Sequence, residues 1–71
     1  MPIEVQAHIT GTVWKILVKV GDAVTEEQPV AILESMKMEM PVESPASGTV
    51  ASVVATEGQA VEEGEVLLTL D

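Results

Sequence analysis

Apolar residues fall in short runs rich in valine, isoleucine and leucine, and turn formers bound each run. The runs predict strands over Ile3–Gln6, Thr12–Val18, Ala23–Val24 and Val30–Glu34. A second series follows at Met38–Glu43, Thr49–Val54, Ala60–Val61 and Val66–Leu70. Gly21-Asp22, Gly58-Gln59 and Glu63-Gly64 predict turns, because glycine supplies positive φ at little cost. Pro41 sits poorly in a central strand and predicts an edge. Ser44-Pro45 marks the connection between the two series. No window of helix length keeps an apolar face at the 3.6-residue period, and the polar Glu26-Glu27-Gln28 stops at Pro29. The expectation is an all-β fold of two small antiparallel sheets.

The second series repeats the first. A shift of 37 residues lays Gly11-Thr12-Val13 on Gly48-Thr49-Val50, Gly21 on Gly58, Ala23-Val24 on Ala60-Val61, Glu26 on Glu63 and Leu33 on Leu70. That gives eight identities over the 24 positions from Gly11 to Glu34. Two repeats are too few for a solenoid. They predict one domain over residues 1–71, built of halves at about 1–34 and 38–71, with quasi-twofold symmetry and strands from both halves in each sheet. The second half stops at Asp71, the equivalent of Glu34, where the first half continues into Ser35-Met36-Lys37. Symmetry therefore predicts the Lys37 segment and the chain termini at opposite ends.

At 71 residues the chain is near the lower limit for a self-sufficient core. It has no cysteine to form a disulfide or a thiolate metal site, and Trp14 is its only aromatic residue. Stability must come from aliphatic packing. The net charge of −9 argues against nucleic acid and anionic membrane surfaces. A solvated acidic surface accounts for most of that charge, and a protein partner with a basic docking face accounts for the remainder. Met1-Pro2-Ile3-Glu4 lacks the basic start and apolar run of a signal peptide, and no apolar run could span a bilayer, so a cytoplasmic location is expected.

The chemistry converges on one segment. The chain has three Lys or Arg residues, and Lys37 lies midway between the halves in Glu34-Ser35-Met36-Lys37-Met38-Glu39. A two-residue hairpin loop would make Met36 and Lys37 its central residues. Ser35 would then face Met38, Glu34 would face Glu39 and Leu33 would face Met40. Such a loop breaks two preferences. Tight hairpin turns favour Asn-Gly or Asp-Gly, and like charges directly opposite each other destabilise a ladder. Local rules broken without a packing gain point to function. Methionines are ordinarily core fillers and a loop lysine is ordinarily a solubilising charge. Met40 fits the first description, and the central position of Lys37 sets it apart from the second. No nucleophile–base pair, phosphate loop or metal cluster is present, and His8, the only histidine, is expected on the surface.

Together these motifs resemble the biotinyl/lipoyl attachment domains, most closely the small stand-alone bacterial forms. The resemblance runs from about Glu4 to Asp71. It rests on Gly11-Thr12-Val13, Val20-Gly21-Asp22-Ala23-Val24, Glu34-Ser35-Met36-Lys37-Met38-Glu39 and Ser47-Gly48-Thr49-Val50. It implies a flattened barrel-sandwich of two four-stranded sheets with a modifiable lysine on a hairpin. Biotinylated members flank that lysine with methionines, commonly after an alanine, which Ser35 replaces here. Lipoylated members usually place an acidic residue before the lysine and a small one after it, so Met36 and Met38 favour biotin. No protruding thumb loop is inserted between Val18 and Val30.

The resemblance implies a carrier, not an enzyme. A biotin protein ligase would join biotin to the Nζ of Lys37 as an amide. An alkylammonium is protonated at neutral pH, so the ligase must supply the deprotonation and the geometry. The loaded arm would carry a carboxyl group from a biotin carboxylase to a carboxyltransferase. Tethering makes that delivery local. Met36, Met38, Ser35, Glu34 and Glu39 would be read by the ligase. The alternatives are lipoate on Lys37, attached by a lipoate ligase for acyl transfer or alongside biotin, and an unmodified interaction module.

Overall fold

The computed structural model describes residues 3–71. Eight strands are present: β1 Ile3–Gln6, β2 Gly11–Ile16, β3 Ala23–Val24, β4 Pro29–Ser35, β5 Met38–Glu43, β6 Gly48–Val53, β7 Ala60–Val61 and β8 Val66–Leu70. They form two antiparallel four-stranded sheets, ordered β1-β8-β6-β3 and β5-β4-β2-β7. The 37-residue shift maps β1 to β5, β2 to β6, β3 to β7 and β4 to β8, and so turns one sheet order into the other. Each sheet therefore takes two strands from each half, as the repeat predicts.

The symmetry extends to individual hydrogen bonds. The Gly21 amide donates to Val50 O and the Gly58 amide to Val13 O. Leu17 N donates to Val30 O and Val54 N to Leu67 O, both at 2.9 Å. Asp22 Oδ2 accepts from Lys19 N, and its counterpart Gln59 Oε1 accepts from Thr56 N, both at 3.0 Å. These side chains close equivalent turns in the way short polar residues commonly do.

The core lies between the sheets and is wholly aliphatic. Val13, Val30, Leu33 and Leu70 have no exposed surface, and Val5, Val50, Leu67 and Leu68 are each 1% exposed. Burying each such side chain is worth about 1.5–3 kcal/mol, the main term available to a chain without disulfides. The one buried polar side chain among the described residues, Ser44, donates its hydroxyl to Ala46 O. The turn it caps is the connection signalled by Ser44-Pro45.

Strand ends differ modestly from the apolar pattern. β2 closes at Ile16 and β6 at Val53. Leu17 and Val54 keep one ladder bond each but are 48% and 59% exposed, because the chain there turns away toward the other sheet. Pro29 and Ser35 extend β4 by one residue at each end. Pro41 lies on β5, an edge strand, where its missing N–H breaks no ladder. Among the described residues no helix is long and apolar enough to cross a membrane.

Candidate functional site: the β4–β5 hairpin tip

β4 and β5 pair in the register Leu33↔Met40, Glu34↔Glu39, Ser35↔Met38, which leaves Met36 and Lys37 as the two central residues. Both have positive φ, 53° and 66°. This is the left-handed pair that a tight hairpin of type I′ requires, matching the right-handed twist of its strands. For residues with a Cβ that conformation costs about 1–2 kcal/mol each. Surrounding structure must hold it.

That support comes from β2 and the core. Leu33, three residues before Met36, is fully buried. Thr12 pairs with Glu34 on the other side of β4. At Gly11 a Cβ would lie 2.6 Å from Glu34 O, so only glycine lets β2 approach the base of the hairpin this closely. Gly48 makes the same approach to Asp71 O, also at 2.6 Å. The two ends share one scaffold, and the first leads into the Met36-Lys37 turn.

The tip side chains stand clear of that scaffold. Met36 is 91% and Met38 61% exposed, while Lys37 between them is also exposed. Neither methionine fills the core, and Met40 is half-buried. Two soft apolar side chains thus flank a primary amine in water, an arrangement that packing does not explain. Glu34 and Glu39 are exposed and directly opposite, as the assumed register requires, and Ser35 is half-buried opposite Met38. The tip therefore offers an amine, two apolar contacts and a pair of carboxylates. Among the described residues no group of three or more His, Asp or Glu is placed to hold a metal ion.

Other titratable groups lie elsewhere. Lys15 sits with its Nζ 5.8 Å from the centre of the Trp14 ring, and Lys19 lies in the turn closed by Asp22. His8 is exposed and lines an open cleft of about 250 Å³ with Gln6, Pro41, Val42 and Glu43, between edge strands β1 and β5. Two features escaped the sequence reading. Glu27 has φ 72°, where its counterpart Gly64 has φ 90°. The repeat carried that signal, since Glu27 aligns with a turn glycine. Trp14 occupies a bulge in β2 and is 44% exposed, a placement that a lone aromatic in an apolar run does not announce.

The biotin/lipoyl family, described as biotin-requiring enzyme, matches residues 1–70. The biotin/lipoyl attachment protein of Bacillus subtilis is 50% identical over 66 residues, covering 93% of this chain and 90% of that protein. A biotin carboxyl carrier protein of Streptococcus mutans is 45% identical over 64 residues, 90% of this chain and 49% of that protein. Among solved structures, the urea carboxylase of Kluyveromyces lactis superposes over the whole chain with a TM-score of 0.93 and 32% identity, although the chain spans 6% of its length. The match to the family over nearly every residue, with the same sandwich recurring inside a carboxylase, establishes that this chain belongs to the biotin/lipoyl attachment family.

Proposed function

We propose that residues 1–71 act as one non-catalytic biotin carrier domain, with Lys37 as the attachment point. The observation that carries this reading is the two-residue turn. Met36 and Lys37 both hold positive φ, and the lysine stands exposed between two exposed methionines. Attachment needs a primary amine that an enzyme can enclose without unfolding its carrier, and the tip meets that need. The relatives named as an attachment protein and as a carboxyl carrier protein support the same reading.

The chain's own residues have three tasks. The β4–β5 ladder fixes the root of the lysine, so that a ligase meets it in one geometry. Met36 and Met38 give the ligase apolar contacts on both sides of the amine. Glu34 and Glu39 attract basic groups on a partner. In the ligase's site the amine loses a proton and displaces the leaving group from an activated biotinyl carboxyl, forming an amide at Nζ. Bound biotin supplies the position that carries a carboxyl group. The rigid β4–β5 ladder would hold the root of Lys37 while the side chain stays mobile, keeping a carried group local to a biotin carboxylase and a carboxyltransferase. Its workplace is the cytoplasm.

A lipoyl role is the second reading, because the matching family and the Bacillus subtilis relative are named for both groups. Intact mass separates the two. With a biotin protein ligase, biotin and ATP, the chain is expected to gain one biotinyl group, and Lys37→Arg none. Gain from a lipoate ligase alone would replace biotin with lipoate in this account, and gain from neither ligase would overturn it.

A further inference from the structure

The internal repeat supplies a control for the outer surface. In the sheet that bears the hairpin, Val13 and Leu33 point into the core, so the next pairing level points out. That level joins Lys15, Ile32 and Pro41, with Trp14 as the extra residue of the β2 bulge. A bulge places both of its residues opposite one partner residue, and Lys15 Nζ lies over the Trp14 ring. The other sheet has the same bulge, between Val50 and Ser52, and the same level: Ala51, Ser52, Thr69 and Glu4. There Ser52 and Thr69 share a 2.6 Å hydrogen bond. One backbone thus carries Trp14, Lys15, Ile32 and Pro41 on one face, and Ala51, Ser52, Thr69 and Glu4 on the other.

The apolar row lies one outward level below Glu34 and Glu39: Ile32 and Pro41 are on the hairpin strands that carry Lys37, and Trp14 is on the adjoining β2. Ile32 is three residues from Ser35, roughly 10 Å along the strand. The chain's only aromatic residue is 44% exposed there, and the acidic pair borders it. A partner for this face needs an apolar recess bordered by basic groups. A second copy of this chain, at net charge −9, offers the wrong charge.

We infer that the outer face formed by Trp14, Ile32 and Pro41, with Glu34 and Glu39 at its border, is the docking surface for the ligase that modifies Lys37. This rests on the carrier reading above. The ligase is the occupant because the reacting atom is the lysine amine itself. An enzyme acting there must come within one side chain of the turn, and so within reach of the row beneath it. Enzymes served by the loaded arm work at the arm's far end and can remain clear of this face. Met36 and Met38 then position the amine, while the row beneath them contributes the affinity.

The test grafts the repeat's own residues across the sandwich. Trp14→Ala with Ile32→Thr gives two of the four outer positions of one sheet the residues of the other, at and opposite an equivalent bulge. Val54→Thr, an exposed apolar residue of the second half, is the control. Steady-state biotinylation by a purified biotin protein ligase is measured for each, with folding followed by circular dichroism. The grafted chain is expected to raise KM about tenfold, the loss of one interface anchor, with kcat within twofold. Trp14→Ala alone gives the same direction should the double variant fold poorly. An unchanged KM in a folded variant overturns the inference and leaves the carrier reading standing, whether the variant weakens binding to a carboxylase component, loses self-association in sedimentation or changes nothing. A wild-type chain that no biotin ligase modifies overturns both.

Discussion

The hairpin tip and the Asp71 end are built alike up to one residue. Each has a fully buried leucine, Leu33 or Leu70, followed by an acidic residue whose carbonyl closes against a glycine. Past Glu34 the chain makes a turn with two residues, Met36 and Lys37, in a conformation their side chains disfavour. The comparison separates scaffold from function. What the two ends share holds the sandwich together, and what one end alone possesses is the exposed, strained Met36-Lys37 pair. A strained turn on a well-supported base is a common signature of a site.

The largest expected effects concern what is shared. Leu33→Ala and Leu70→Ala should each cost about 2–5 kcal/mol, the range for emptying a buried leucine site. Chemical denaturation of the pair should give similar losses; a loss confined to Leu33 would mean that the hairpin end carries the fold alone. Gly11→Ala and Gly48→Ala come next. A methyl 2.6 Å from a carbonyl oxygen forces β2 or β6 to shift, at about 1–3 kcal/mol. Only Gly11→Ala should also slow modification of Lys37, because only that glycine supports the tip.

The symmetric scaffold was legible in the sequence because hydrophobic alternation and turn glycines repeat at one interval. The eight strands and their division between two sheets follow from that pattern, the Pro41 edge follows from its missing N–H, and the Glu34–Glu39 register follows from a two-residue loop. Lys37 stood out by position and composition. Trp14 did not, since a lone aromatic inside an apolar run reads as core, and periodicity cannot reveal the bulge that turns Lys15 outward beside it. Glu27 was hidden for a different reason. Its positive φ accompanies a Glu27 N–Ser44 O bond, the equivalent of Gly64 N–Ala7 O, and local preference alone would not assign it.

Smaller effects sharpen the same contrast. Met36→Asn with Lys37→Gly should raise stability by about 1 kcal/mol, by giving the turn residues suited to it, while abolishing modification. Glu27→Gly should stabilise by about 0.5 kcal/mol and Gly64→Ala destabilise by about 1 kcal/mol, with no change in modification by either. Thermal melts beside a ligase assay would separate them. If relieving Glu27 slowed modification as much as replacing the tip, the strain at Met36-Lys37 would lose its functional meaning.

The most direct measurement is peptide mapping of the chain after reaction with a biotin protein ligase. The sequence holds only three Lys or Arg residues, and all are lysines: Lys15 beside Trp14, Lys19 in a turn and Lys37 at the tip. The account predicts that the whole mass increase resides on the peptide containing Lys37. Label on Lys15 or Lys19 instead, or shared evenly among the three, would contradict it.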